Sequence, residues 1–207
     1  RHTPALRVWL ADFREQAAAP QQLRERFASA YHDYLAARKA EQLHQSRPPN
    51  IAEHWAFRRR SIFMDPYLDL WMILRSVDPA AVAKPQFAEA RALAVDLVLL
   101  ANDLGSAERD SKSGESPDDL NLIHSYAREH QESEAAALER LLALYNDLAQ
   151  RYRTLASRAV AAGASEDAQR YLDLLSGVIE GNVASVLALG FRYPGAAPVM
   201  ARLSAVR

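Results

Sequence analysis

Apolar residues recur at spacings of three and four along most of this chain, a pattern typical of helices that bury one face. Leu23, Phe27, Tyr31 and Leu35, for example, share one helical face. No stretch shows the alternation of apolar and polar residues that indicates a half-buried strand. The pattern predicts an all-α fold. The predicted helices cover residues 3–18, 20–45, 51–76, 86–110, 121–132, 133–163 and 165–191, followed by a tail at 192–207.

Prolines mark several of the predicted breaks, because proline cannot donate the backbone hydrogen bond that a helix interior needs. Pro48 and Pro49 end the second helix. The step from Asp65 to Pro66 falls in the middle of the helix at 51–76, which we expect it to break or kink. The tail is interrupted by Pro194, Gly195 and Pro198.

The helix at 86–110 changes character along its length. It is almost wholly apolar up to Ala101 and polar from Asn102 onward. A helix that is apolar on nearly every side is predicted to be buried. The polar continuation indicates that its C-terminal end enters a cavity or reaches the surface.

Composition narrows the function classes. The 207 residues are 49% hydrophobic, enough for a folded domain, and 25 basic residues balance 26 acidic ones for a net charge of -1. That balance argues against a general nucleic-acid or membrane-surface binder. The chain has no cysteine, which excludes disulfides and zinc–thiolate sites. No apolar run is long enough to predict a membrane span, and we expect a cytoplasmic protein.

The polar end of the helix at 86–110 carries the candidate chemistry. Asn102, Ser106 and Asp110 are spaced at i, i+4 and i+8, within roughly 80° of arc and about 12 Å along the axis. Their amide, hydroxyl and carboxylate oxygens are hard ligands that suit Mg²⁺. Arg109 could bind a phosphate held by the same ion. The same residues could equally be a solvated helix end.

The six histidines show no spacing typical of a metal site. We expect His124 and His130 to lie at the surface or in a loop.

The run from 102 to 110, Asn-Asp-Leu-Gly-Ser-Ala-Glu-Arg-Asp, resembles the second metal motif of class I terpene synthases. The resemblance implies that Asn102, Ser106 and Asp110 bind one Mg²⁺ ion and that Arg109 contacts the substrate diphosphate. The family pattern more often ends in Glu, so Asp110 is a shorter form of the last ligand.

Three further stretches resemble the same family and occur in its order. Residues 119–123 are similar to the Asn-Leu-Val stretch that follows the metal motif. Arg192 and Tyr193 resemble an Arg-Tyr pair that binds diphosphate when the site closes. Residues 55–61 resemble the stretch with the diphosphate-sensing arginine, which implies that role for Arg58, with Arg59 as the alternative.

The resemblance implies the helical bundle of class I terpenoid synthases. Residues 1–207 are then a single terpene synthase domain that corresponds to the C-terminal two-thirds of the family fold. The family's earlier aspartate-rich motif is not in this sequence, so the N-terminal helices are expected to be missing. The one Asp-Asp pair, at 118–119, follows the second motif. Ile62 and Phe63 stand where relatives often have a small residue, and 183–190 lacks a tryptophan common in relatives.

The implied function is Mg²⁺-dependent ionisation and cyclisation of a linear prenyl diphosphate of the geranyl or farnesyl type, with release of diphosphate. The expected apolar pocket would be lined by Phe63, Tyr67, Trp71 and Val98, whose aromatic members stabilise carbocations. A homodimer is possible, and no nucleic-acid partner is expected. Two alternatives stay open. One is a non-catalytic terpene-synthase-like module with a structural or regulatory role, and the other is a helical scaffold without a diphosphate site.

Overall fold

The computed structural model describes residues 20–41, 49–113 and 121–207, without the side chains at 41 and 109–113. This part of the chain is helical and contains no strand, which confirms the predicted all-α class. The predicted helix at 3–18 lies outside the described residues. The α-helices are α1 (Gln21–Glu41), α2 (Ile51–Ser61), α3 (Met64–Leu74), α4 (Pro85–Ser113), α5 (Leu122–His130), α6 (Glu134–Ala161), α7 (Glu166–Ala188) and α8 (Ala196–Met200), and a 3₁₀ turn spans Pro79–Val82.

Side-chain caps fix where most helices begin. Asn50 accepts a hydrogen bond from the Glu53 backbone N–H, and the Glu53 carboxylate accepts one from the Asn50 N–H. Asn121, Ser133 and Ser165 likewise accept hydrogen bonds from the first turns of α5, α6 and α7. Such caps satisfy backbone donors that have no partner inside the helix. The helix starts predicted at 121, 133 and 165 are therefore the cap residues themselves.

The helix predicted at 51–76 is two helices, and its break lies earlier than predicted. α2 ends at Ser61 and α3 begins at Met64, whereas the expected break was at Asp65 and Pro66. Phe63 makes the turn in the left-handed region, with φ of 65°. Pro66 lies in the first turn of α3, where the missing N–H is not needed by the helix. The prediction was wrong in placing the break at the proline.

Helix α4 lies at the centre of the fold. Most of its side chains from 93 to 101 are buried, and it packs against α6, α7 and α8. This confirms the burial expected from its apolar sequence. Because the core surrounds its first half, the polar second half is held in a fixed position beside α2, α5 and α7.

The segment at 192–207 is more than the tail that its sequence predicts. It forms α8 and returns to α4, and Met200 and Val206 are buried in the core. Pro198 is in the first turn of α8, where a proline is tolerated. The short helix spans too few residues to show a periodic pattern.

Of the helices in the described ranges, α7 alone is long and apolar enough to cross a membrane by length and composition. The core helix of a soluble protein meets the same criterion. Tyr171, Leu175 and Ile179 of α7 are buried against the rest of the core.

Candidate functional site

A cavity of about 960 Å³ opens between α3, α4 and α7. Phe63, Tyr67 and Trp71 line one wall, and Val98 and Asn102 of α4 are also in its lining. Tyr67 and Trp71 meet edge to face, with ring centroids 6.2 Å apart. The structure thus brings the four predicted pocket residues together, next to the first predicted metal ligand. The α7 wall combines small and apolar residues with polar and charged ones: Leu174, Gly177, Val178 and Gly181 alternate with Arg170, Asp173, Asn182 and Ser185.

Arg58 of α2 is not in the cavity lining but contacts Asn102, which is. Its Nη2 donates to Oδ1 of Asp103 at 2.7 Å and lies 3.2 Å from Oδ1 of Asn102. The Arg58 side chain is only 13% exposed. The predicted diphosphate-sensing arginine and the predicted metal ligand Asn102 are therefore in direct contact.

Asp103 is buried and joins three helices. Its Oδ1 accepts the hydrogen bond from Arg58, and its Oδ2 accepts one from the Leu122 backbone N–H at 3.1 Å. Burial alone would raise the pKa of Asp103, but the Arg58 guanidinium and the contact with His54 outweigh it and hold the pKa below its ordinary value. Asp103 is therefore a carboxylate that anchors α2 and α5 to α4.

His54 completes this network and was not identified from the sequence. Its ring is fully buried, with Nδ1 2.9 Å from Oγ of Ser125 and Nε2 3.5 Å from Oδ2 of Asp103. His54 and Arg58 are four residues apart on α2, so they share a face of the helix. That spacing was the available sequence signal.

Ser106 lies one turn after Asn102 and is also buried. Its Oγ accepts a hydrogen bond from the Asn121 side chain at 3.2 Å, and the same amide group donates to the Asp103 carbonyl at 2.8 Å. Asn121 therefore joins the start of α5 to the predicted metal face of α4. The side chains of Arg109 and Asp110 lie outside the described residues.

The side-chain oxygens on this face of α4 are suitable ligands for a hard divalent cation. Asn102 presents an amide oxygen and is open to the cavity, and one turn later Ser106 carries a hydroxyl oxygen that is buried and paired with Asn121. No cluster of three His, Cys, Asp or Glu residues occurs among the described side chains. A metal ion here would use Asn102 and Ser106, together with Asp110 and oxygens from substrate or water. The residues present therefore fit Mg²⁺ rather than zinc or copper.

Arg59, the alternative sensor, is engaged elsewhere. It donates to both carboxylate oxygens of Asp96, at 2.6 and 2.5 Å, and Trp55 donates to the same carboxylate. The hydrogen bond to Asp96 raises the pKa of Arg59. Of the two arginines, Arg58 is the one whose guanidinium meets Asn102.

Arg192 and Tyr193 lie in the turn between α7 and α8 and are not among the residues that line the cavity. Arg192 is exposed, with its guanidinium 5.8 Å from the centre of the Tyr193 ring. The structure thus leaves this pair outside the group formed by Arg58 and Asn102.

Gly195 lies in this turn, close to the Glu108 side chain of α4. Its φ of 73° is in the left-handed region, and a Cβ there would lie 1.7 Å from Oε2 of Glu108. The close approach depends on the absence of a side chain. Gly163 has a similar φ of 78°, but a Cβ added there would have no atom within 4 Å.

These two glycines form a matched pair. We expect Gly163→Ala to lower the free energy of unfolding by about 1 kcal/mol, from backbone strain alone. Gly195→Ala should cost nearly the same, because the new methyl group displaces only the flexible, exposed end of the Glu108 side chain. Urea unfolding of both variants, alone and with Glu108→Ala, measures the difference. A much larger loss for Gly195→Ala than for Gly163→Ala, recovered by Glu108→Ala, would contradict this expectation.

Residues 2–151 match the model of terpene synthase family 2, C-terminal metal binding. The fold is similar to 2-methylisoborneol synthase from Streptomyces coelicolor A3(2), solved with Mg²⁺ and geranyl-S-thiolodiphosphate, at a TM-score of 0.74 and 22% identity over 85% of this chain. It is also similar to linalool/nerolidol synthase from Streptomyces clavuligerus, solved with 2-fluorogeranyl diphosphate, at a TM-score of 0.75 and 22% identity over 90% of the chain.

The chain spans 56% of the length of the first of these enzymes and 68% of the second. At these identities the similarity establishes the fold, which is that of class I terpene synthases. No protein of curated function matches the chain by sequence.

Proposed function

Because the chain belongs to terpene synthase family 2, whose model covers residues 2–151, we propose that it forms the metal-binding part of a terpene cyclase. The proposed reaction is Mg²⁺-dependent ionisation of a linear prenyl diphosphate of the geranyl or farnesyl type, followed by cyclisation of the carbocation and release of diphosphate. The observation that carries the proposal is the contact of Arg58 with Asn102 at the edge of an aromatic-lined cavity.

Ionisation separates charge, so the leaving diphosphate must be stabilised as its negative charge grows. Mg²⁺ held by Asn102, Ser106 and Asp110 would supply positive charge at the diphosphate oxygens. Arg58 would donate hydrogen bonds to the same group from a largely buried position, which strengthens a charged interaction. Arg109, Arg192 and Tyr193 are proposed as further donors, by resemblance to the family motifs.

The apolar part of the cavity would hold the prenyl chain and exclude water from the cation. The faces of Phe63, Tyr67 and Trp71 attract positive charge through the ring quadrupole, and Val98 provides apolar surface. Phe63 is fixed by packing against α1, with its ring centroid 4.8 Å from that of Tyr34. A fixed wall would favour particular folded conformations of the substrate.

The first test measures binding. We expect wild-type protein to bind inorganic pyrophosphate with Mg²⁺ in isothermal titration calorimetry and to bind it poorly without metal. Asn102→Ala should weaken the Mg²⁺-dependent binding by about tenfold, since it removes one ligand oxygen. Asn146→Ala is the control, because this residue pairs with the Arg202 and Ser204 backbone away from the cavity. Equal affinity in Asn102→Ala and wild type would contradict the proposal.

The second test measures turnover. Incubation with geranyl, farnesyl and geranylgeranyl diphosphates and Mg²⁺, followed by gas chromatography, would detect terpene products. A non-catalytic module of the same family is the second candidate, since Arg192 and Tyr193 are not among the residues that line the cavity. Pyrophosphate binding without any product would support that second candidate, and no binding at all would contradict the cyclase proposal.

A further inference from the structure

One nitrogen of Arg58 contacts both the proposed metal ligand and its neighbour. The Nη2 atom lies 3.2 Å from Oδ1 of Asn102 and 2.7 Å from Oδ1 of Asp103. Oδ1 is the only oxygen that the Asn102 side chain can offer to a metal ion. A cation approaching this oxygen therefore meets a guanidinium that is already beside it. Two cations so close together repel each other.

We propose that Asp103 holds Arg58 across the amide oxygen of Asn102, so that the resting site disfavours a metal ion until diphosphate draws the guanidinium away. This inference rests on the proposed function. It makes Asp103 a positioning residue, which acts on the site through Arg58.

The contacts around Asp103 explain why Arg58 has a defined resting position. The Leu122 N–H fixes Oδ2 of the carboxylate, and the buried ring of His54 lies 3.5 Å from the same oxygen. The Asp103 carboxylate is therefore held in place and cannot move away with the Arg58 guanidinium. Diphosphate offers several anionic oxygens to a guanidinium and can replace the hydrogen bond to Oδ1 of Asp103. Metal ion and diphosphate should consequently bind cooperatively, with the metal ion alone binding weakly.

Metal binding without diphosphate tests the inference, with Mn²⁺ as the probe and electron paramagnetic resonance to measure the free ion. We expect Arg58→Gln to bind Mn²⁺ about tenfold more tightly than wild type, equivalent to about 1.4 kcal/mol. Arg59→Gln is the matched control, since it removes the same charge from another buried carboxylate, Asp96, without a contact to Asn102. It should change the Mn²⁺ affinity less than twofold.

A double variant separates this effect from net charge and from misfolding. Arg58→Gln with Asp103→Asn keeps the net charge of the wild type and leaves no unpaired buried carboxylate. It should still bind Mn²⁺ more tightly than wild type. The inference is overturned if the double variant does not bind Mn²⁺ more tightly than the wild type, or if Arg59→Gln gains as much affinity as Arg58→Gln.

The proposed function is judged separately, by Mg²⁺-dependent pyrophosphate binding to the wild type. Absence of that binding would overturn the function, whatever the Mn²⁺ affinities. Pyrophosphate binding together with unchanged Mn²⁺ affinity in Arg58→Gln and in the double variant would keep the function and overturn the role of Asp103.

Discussion

Arg91→Met is expected to lower the free energy of unfolding by about 3 kcal/mol, because it leaves a buried carboxylate short of a partner. Arg91 lies between α3 and α4. Its Nη1 is 2.8 Å from Oδ1 of Asp69, and its Nε is 2.8 Å from Oδ1 of Asp65. Asp69 is 1% exposed, and its remaining partner is Arg26 of α1. Burial opposes the charge on Arg91, but the aspartates overcome this and raise its pKa.

Arg151→Met is the control for this prediction. Arg151 pairs with Glu89 at 3.5 Å, and both side chains are more than half exposed. Such a pair contributes about 0–1 kcal/mol, so its loss should leave stability nearly unchanged. Urea denaturation followed by circular dichroism measures both variants. Adding Asp69→Asn to Arg91→Met should recover part of the loss, and similar losses for Arg91→Met and Arg151→Met would refute the argument.

Gly105→Ala is expected to destabilise the protein by about 2–3 kcal/mol, although alanine favours helix more than glycine does. Gly105 lies between Asn102 and Ser106 on α4, where α7 packs closely. A Cβ at this position would lie 2.6 Å from Cγ1 of Val186 and 3.5 Å from Cε of Met200. Because Val186 is a short, stiff side chain in the core, the two helices would have to separate.

For Gly181→Ala on the facing helix α7, we expect the opposite effect, a gain in stability. A Cβ at Gly181 has no atom within 4 Å, and the residue is inside α7. We therefore expect a gain of about 0.5–1 kcal/mol from helix propensity alone. Thermal unfolding measures both variants, and Val186→Ala should reduce the cost of Gly105→Ala. A gain in both glycine variants would show that α4 and α7 are not in close contact.

Most of the fold could be predicted because long helices carry a strong periodic signal. α6 and α7 begin one residue after Ser133 and Ser165, the first residues of the two predicted helices. The break at Phe63 could not be predicted, because a phenylalanine with positive φ has no distinctive sequence signature and Pro66 offered a more obvious site. The short helix α8 depends on packing against α4, which local sequence does not encode.

The candidate site was partly predictable for a different reason. Spacing on one helix places Asn102 and Ser106 on a common face, and the cavity contains the four aromatic and apolar residues expected there. The contact between Arg58 and Asn102 joins residues 44 positions apart. His54 was missed because a lone histidine gives no indication of its partner across the fold.

The carboxylate at 103 has a consequence for how this family diverges. It holds three helices together, whereas its neighbour at 102 faces the cavity. Substitutions at these two adjacent positions should therefore have different effects, on stability at 103 and on ligand binding at 102. We expect members of terpene synthase family 2 to retain the aspartate together with a histidine equivalent to His54, whether or not they retain the asparagine. The aspartate alone would then be a poor indicator of activity.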